Sequence, residues 1–126
     1  MYPLQIADEL TTAFPGLGRE LHSPATMSSL AAQLARFAAF TRLAFKGEQL
    51  DLLARCFAVA DRLLTQADAE LLAAFRDAYF PCLHLDALAG GERAARQLMP
   101  ATLYGDYAQF LYASAHRPGA SSSASL

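Results

Sequence analysis

Apolar side chains recur three and four positions apart along most of this chain, and no stretch alternates cleanly between apolar and polar residues. Spacing of three and four places apolar side chains on one face of an α-helix, whereas alternation is typical of a β-strand. The pattern therefore predicts an all-α fold, a single compact bundle of about five to six helices. The predicted helices cover residues 3–14, 25–45, 48–65, 69–80, 92–98 and 101–115.

Capping residues and helix breakers set the predicted boundaries. Residues 17–22 are predicted as a loop or short turn, after which Ser23 and Pro24 resemble an N-cap and a first helical position. Asp68 is the predicted N-cap of the helix over residues 69–80, and Pro81 is expected to end or kink that helix. Gly90 and Gly91 predict a break before the last two helices.

The apolar faces predict which helix lies deepest. The helix over 48–65 is expected to be central, because its apolar face is broad and its polar strip is narrow. Its predicted core face contains Leu50, Leu53, Phe57, Ala60 and Leu64, widened by Leu52, Val59 and Leu63. The helix over 25–45 is apolar on more than one side, which favours neighbours on both sides. The buried face predicted for the helix over 69–80 contains Leu71, Leu72, Phe75, Ala78 and Tyr79, with Cys82 as a further candidate. The buried face predicted for the helix over 101–115 contains Leu103, Tyr107, Phe110 and Leu111.

Composition and charge narrow the classes of function. The chain is 54% hydrophobic and only 17% charged, so some apolar side chains must be exposed or covered by another chain. The net charge of −2 and the absence of a basic run argue against a nucleic-acid partner. No apolar stretch is long enough to cross a bilayer and no secretory signal is evident, which predicts a cytoplasmic protein. Residues 1–116 are predicted to form the domain and the Ser/Ala-rich residues 117–126 a disordered tail.

No motif nominates a catalytic or metal site. The cysteines, Cys56 and Cys82, are predicted to be inert core thiols, and no histidine has a partner at zinc-motif spacing. No metal or cofactor is therefore expected. Glu70 and Asp77 lie two helical turns apart on one face, and His84 continues that line if the helix persists. These carboxylates could act as an acid–base pair, but the favoured interpretation is that they lie on the solvent-exposed face of the helix. The prediction is that the protein is not an enzyme, and a pocket at His84 or Asp61 would reopen the question.

The remaining features indicate a binding surface. Glu70, Asp77 and Phe80 are predicted to form a strip away from the core, while Tyr112 lies nearly opposite the last helix's core stripe and Tyr104 lies at its flank. An acidic strip beside exposed aromatic rings would suit a basic protein partner, and tyrosine is enriched at interfaces. These five residues are the predicted partner-binding set. The alternative is that the tyrosines pack on neighbouring helices.

The chain resembles a family of small, all-helical bacterial immunity proteins that act beside polymorphic or type VI secreted toxins. The resemblance spans residues 4–112, and it rests on Phe14 and Pro15, the stretch 37–40, the turn 64–68, and the stretch 98–100 with Leu103 and Tyr107. It implies a cytoplasmic antidote that binds a cognate protein toxin and occludes its active site or substrate access. The family has no catalytic residues and no cofactor to carry over.

A second hypothesis follows from the two-sided helix over 25–45. Leu43 lies nearly opposite that helix's core stripe and Phe40 lies at its flank. An apolar second face could serve a helical adaptor, a chaperone or a homodimeric structural protein without catalytic activity. In the homodimer, Phe40 and Leu43 would be buried.

Overall fold

The fold of the computed structural model is all-α over the residues that it describes, 3–27 and 29–115. Within those ranges no residue lies in a strand, and the predicted tail, residues 117–126, lies outside them. The helices are α1 (Pro3–Ala13), α2 (Gly18–Leu21), α3 (Pro24–Met27), α4 (Leu30–Lys46), α5 (Leu50–Thr65), α6 (Ala69–Ala74), α7 (Phe80–Leu83), α8 (Gly91–Leu98) and α9 (Ala101–Ala115). A 3-10 turn (Pro15–Leu17) precedes α2, a π-helical turn (Phe75–Tyr79) joins α6 to α7, and another 3-10 turn (Leu85–Ala87) follows α7.

Two predicted boundaries near the N-terminal end are wrong. The helix predicted over 25–45 is divided into α3 and α4, because Ser29 is extended and its hydroxyl accepts the Ala32 N–H at 3.1 Å as an N-cap. The predicted loop over 17–22 is largely helical. Its Leu17 and Leu21 are both buried, and their four-residue spacing places them on one helical face.

The central helix is α4, not α5 as the sequence predicted. Helix α4 contacts α1, α2, α3, α5 and the whole of the α6–α7 segment, so it is packed on more than one side as expected. Its interior includes polar Gln33 and Thr41, and the Thr41 hydroxyl donates to the Phe37 carbonyl oxygen at 2.9 Å. Phe40 is half-buried against Phe14, with ring centroids 5.2 Å apart.

Helix α5 buries most of its predicted core face. The buried positions are Leu53, Phe57, Ala60 and Leu64, together with Val59 and Leu63. Leu50 is the exception, since its side chain is 55% exposed. Leu50 is the first residue of α5, at the corner where the chain turns out of α4. The prediction that Leu50 belongs to the core is therefore wrong.

A π-helical turn changes which residues of the α6–α7 segment face the core. Asp68 caps α6 as predicted, accepting the Leu71 N–H at 2.9 Å. At the π turn the Phe80 N–H donates to the Phe75 carbonyl, five residues earlier. One extra residue in a turn rotates the following side chains by about 100° relative to an unbroken α-helix. Phe80 consequently becomes buried and Cys82 exposed, which overturns both predictions for these residues.

The helix passes through Pro81 instead of ending at residue 80. Pro81 has no N–H to donate, and it lies in the first turn of α7, where a missing donor is tolerated. Helix α7 ends at His84, which adopts the left-handed conformation with φ of 32°. The Arg42 guanidinium donates to the Leu83 and His84 carbonyl oxygens at 3.0 and 3.3 Å, which satisfies acceptors at this helix end.

The last two helices are held against the segment that follows α7. Gly90 has φ of 77°, and a Cβ on Gly91 would overlap the Leu85 carbonyl oxygen, so the predicted break at these glycines is confirmed. In α9 the side chain of Tyr107 is buried. Its hydroxyl accepts the Leu85 N–H at 3.0 Å and donates to the Asp86 carboxylate at 3.1 Å. This pair of bonds joins α9 to the rest of the bundle.

Candidate protein-binding cleft

A surface cleft of about 530 Å³ lies between the π turn and α9. We call it the π–α9 cleft. The π turn contributes two exposed side chains, because the residues on either side of them are turned toward the core. Its lining includes Arg76 and Asp77 from the π turn, and Asp106, Gln109, Phe110 and Tyr112 from α9.

The cleft combines an apolar floor with an exposed aromatic wall. Phe110 is half-buried, and its ring centroid lies 5.7 Å from that of Phe80 in the core. Phe80 in turn contacts the rings of Phe75, Tyr79 and Tyr107, with centroids 5.7 to 6.0 Å apart. The floor is therefore braced by a packed aromatic cluster. Tyr112 also lines the cleft, with 65% of its surface exposed.

The polar lining of the cleft is acidic overall. Two carboxylates, Asp77 and Asp106, face one guanidinium, Arg76, which leaves an excess of one negative charge. Over the described parts of the chain, no ion pair joins Arg76 to either carboxylate. The carboxylates can thus meet an incoming cation without first losing an internal partner.

The structure brings two of the five predicted binding residues together, since Asp77 and Tyr112 line the same cleft. Glu70 is exposed near the start of α6 but does not line it. Tyr104 is half-buried beside Arg96 of α8, whose pKa is raised by a side-chain hydrogen bond with Tyr104. Phe80 is only 1% exposed, so its predicted place on the outer strip is wrong.

Apart from Tyr112, the sequence-based prediction missed the α9 side of the cleft. Asp106, Gln109, Phe110 and Ala113 follow the i, i+3, i+4, i+7 spacing of a single helical face. That spacing is visible in the sequence. The sequence does not show which residues lie opposite this helical face, because the opposing wall of the cleft lies about thirty residues earlier in the chain.

The other predicted chemistry is arranged differently. His84 Nε2 lies 3.4 Å from Asp86 Oδ1, so this imidazole is paired with the same carboxylate that accepts the Tyr107 hydroxyl. Over residues 3–27 and 29–115, no group of three or more His, Cys, Asp or Glu side chains is placed to hold a metal ion. None of the helices in those ranges has the length and apolar character needed to cross a membrane.

Fold and cleft together define a small all-α domain that carries an amphipathic surface cleft. The chain belongs to the DUF7674 family, described as a domain of unknown function, whose model matches residues 7–113. No curated protein and no solved structure matches the chain.

Proposed function

We propose that this protein is a helical protein-binding module that receives a basic segment of its partner in the π–α9 cleft. The observation that carries the proposal is the exposed Tyr112 beside Asp77 and Asp106, above the apolar Phe110 floor. An aromatic anchor with an apolar centre and a polar rim is the usual anatomy of a protein interface. A lysine or arginine of the partner would meet the carboxylates while its aliphatic stem covers the ring.

The open form of the cleft favours a macromolecular partner over a small ligand. Sites for small molecules usually enclose most of the ligand in a concave pocket. Here Tyr112 lines the cleft and still has 65% of its surface exposed. Such a ring adds contact area at low entropic cost when a second protein covers it.

We further propose that the partner is a bacterial toxin and that the protein is its cytoplasmic immunity protein, without catalytic activity and without a nucleic-acid or membrane partner. The resemblance to immunity proteins supports this assignment. The mechanism would be steric: the bound helical domain would cover the toxin's active site or its substrate entry. The acidic cleft would speed the encounter with a basic toxin surface.

The direct test is co-expression with the product of the adjacent upstream gene. We expect relief of that protein's toxicity, and a complex measurable by calorimetry. Tyr112→Ala should weaken binding by at least about tenfold, about 1.4 kcal/mol, because it removes the aromatic anchor. Asp77→Lys should weaken it further and slow association.

Glu70→Lys is the matched control, because Glu70 is an exposed acid outside the cleft. It should leave affinity and protection unchanged. If the cleft variants protect as well as the wild type, the proposed site is wrong. If the adjacent gene product is not toxic and does not bind, the immunity role is wrong.

A further inference from the structure

A second surface, the corner between α4 and α5, exposes apolar side chains without sharing any residue with the π–α9 cleft. In the described residues three large apolar side chains are strongly exposed: Tyr112, Leu43 at 67% and Leu50 at 55%. Leu43 lies one helical turn before Lys46 near the end of α4, and Leu50 begins α5. Single exposed leucines are ordinary, whereas an exposed leucine that adjoins further apolar side chains is typical of an interaction surface.

The corner contains a shallow hollow of about 570 Å³. Phe45 and Leu50 line it from the corner itself, and Leu88 and Ala89 line it from the segment before α8. Lys46 and Glu48 also line this hollow. The surface therefore has an apolar centre with one cation and one anion. Lys46 is the single lysine of the entire chain.

The backbone at Glu48 is in an unfavourable conformation. Its φ of 56° is left-handed, and the Gln49 N–H donates to the Ala44 carbonyl at 2.9 Å, as in the helix-ending motif that usually has glycine at this position. The neighbouring Gly47 has φ of −83°, which any residue can adopt. A left-handed non-glycine residue costs about 1–2 kcal/mol, and such strain concentrates at functional positions.

We propose that the α4–α5 corner is the interface through which two copies of this chain form a twofold dimer. In a twofold interface each contact occurs twice, with the roles of the copies exchanged. Lys46 of one copy would face Glu48 of the other, and the reverse, around the apolar centre that Phe45, Leu50 and Leu88 form. A surface with one charge of each sign around an apolar centre is complementary to itself, whereas a strongly basic or acidic partner would meet attraction and repulsion together.

Charge reversal and mixing test this arrangement. Sedimentation velocity of the full chain should show a monomer–dimer equilibrium. Lys46→Glu places two acids at the corner and Glu48→Lys places two bases there, so each variant alone should dimerise at least about tenfold more weakly. An equimolar mixture of the two should recover dimers, because each acidic corner then meets a basic one. The double variant should also dimerise like the wild type.

Arg19→Glu is the matched control, since Arg19 is an exposed cation of α2 that does not line the hollow, and it should leave the equilibrium unchanged. Thermal unfolding of each variant checks that the bundle is intact. The proposal is overturned if the wild type remains monomeric up to about 1 mM, or if the variants alone dimerise normally, or if their mixture does not recover dimers. Tyr112→Ala should leave dimerisation unchanged, which keeps this test separate from that of the π–α9 cleft.

Discussion

One histidine shows how a single side chain joins two N-terminal helices. His22 Nδ1 lies 2.9 Å from the Gly18 carbonyl oxygen, and Nε2 lies 3.4 Å from Asp8 Oδ1 in α1. Both neighbours are acceptors, so only the doubly protonated imidazolium can donate to both. The pKa of His22 is accordingly raised above 6.5, first by the Gly18 carbonyl and then by Asp8.

The raised pKa predicts the pH dependence of stability. The contribution of His22 should be fully present below the unfolded-state pKa of about 6.5 and lost as pH rises through the higher folded pKa. NMR titration of the His22 ring should show the raised value, and Asp8→Asn should lower it. The free energy of unfolding, measured by denaturation at about pH 5 and about pH 8, should differ less between the two pH values for His22→Gln than for the wild type. A folded pKa at or below 6.5 would contradict the prediction.

Glu48 offers a stabilising substitution at the residue scale. Glycine adopts the left-handed region without the Cβ penalty, so Glu48→Gly should be more stable than Glu48→Ala by about 1 kcal/mol. Both variants lack the carboxylate, so their difference isolates the backbone conformation from the charge. Urea unfolding at a protein concentration too low for dimers measures it. Equal stability of the two variants would show that Glu48 is unstrained in solution.

At the scale of elements, the π turn decides which side chains of residues 80–83 face the core and which face solvent. Without it Cys82 would continue the buried face of α6 and Phe80 would point outward, as the sequence spacing predicted. With it, Phe80 joins the aromatic cluster and Cys82 reaches solvent. The thiols therefore report whether the turn is present.

We expect Cys82 to react rapidly with a thiol reagent in the native protein and Cys56 to react only on unfolding. Cys56 is buried, and burial raises the pKa of its thiol to about 11, which leaves almost no thiolate at neutral pH. Reaction with Ellman's reagent measures both rates. Cys82→Ser should abolish the fast phase and Cys56→Ser should preserve it. A slow Cys82 would mean that the helix continues without the π turn.

At the scale of the whole molecule, Tyr107 ties α9 to the segment after α7 and so positions one wall of the π–α9 cleft. Tyr107→Phe removes the acceptor for the buried Leu85 N–H, and should cost about 1–3 kcal/mol because that donor is left without a partner. Urea unfolding measures the change. Tyr112→Phe, the same chemical change at an exposed ring, should change the free energy of unfolding by no more than about 0.5 kcal/mol. Equal losses of unfolding free energy in the two variants would show that Tyr107 does not hold α9.

The two proposed surfaces belong to different parts of the bundle. The π–α9 cleft depends on the π turn and α9, while the dimer corner depends on the end of α4 and the start of α5. A dimer formed at the corner would present two copies of the cleft. Binding of a partner and self-association can therefore be varied independently by mutation.

The sequence alone determined the all-α class, most helix spans, the Asp68 cap and the break at Gly90. These features depend on contacts within about four residues, such as hydrophobic spacing, capping hydrogen bonds and glycine conformations, so the local sequence contains them. It also indicated Asp77 and Tyr112 as exposed, but not that they share a cleft.

The tertiary structure decided the rest. It made α4 central, exposed Leu50, rotated Phe80 inward and placed α9 opposite the π turn. A π turn is rare and has no signature in the hydrophobic spacing, so the packing of Phe75, Tyr79 and Phe80 against one another is what selects it here. Which faces meet depends on contacts between residues far apart in the chain, and hydrophobic periodicity does not specify those contacts.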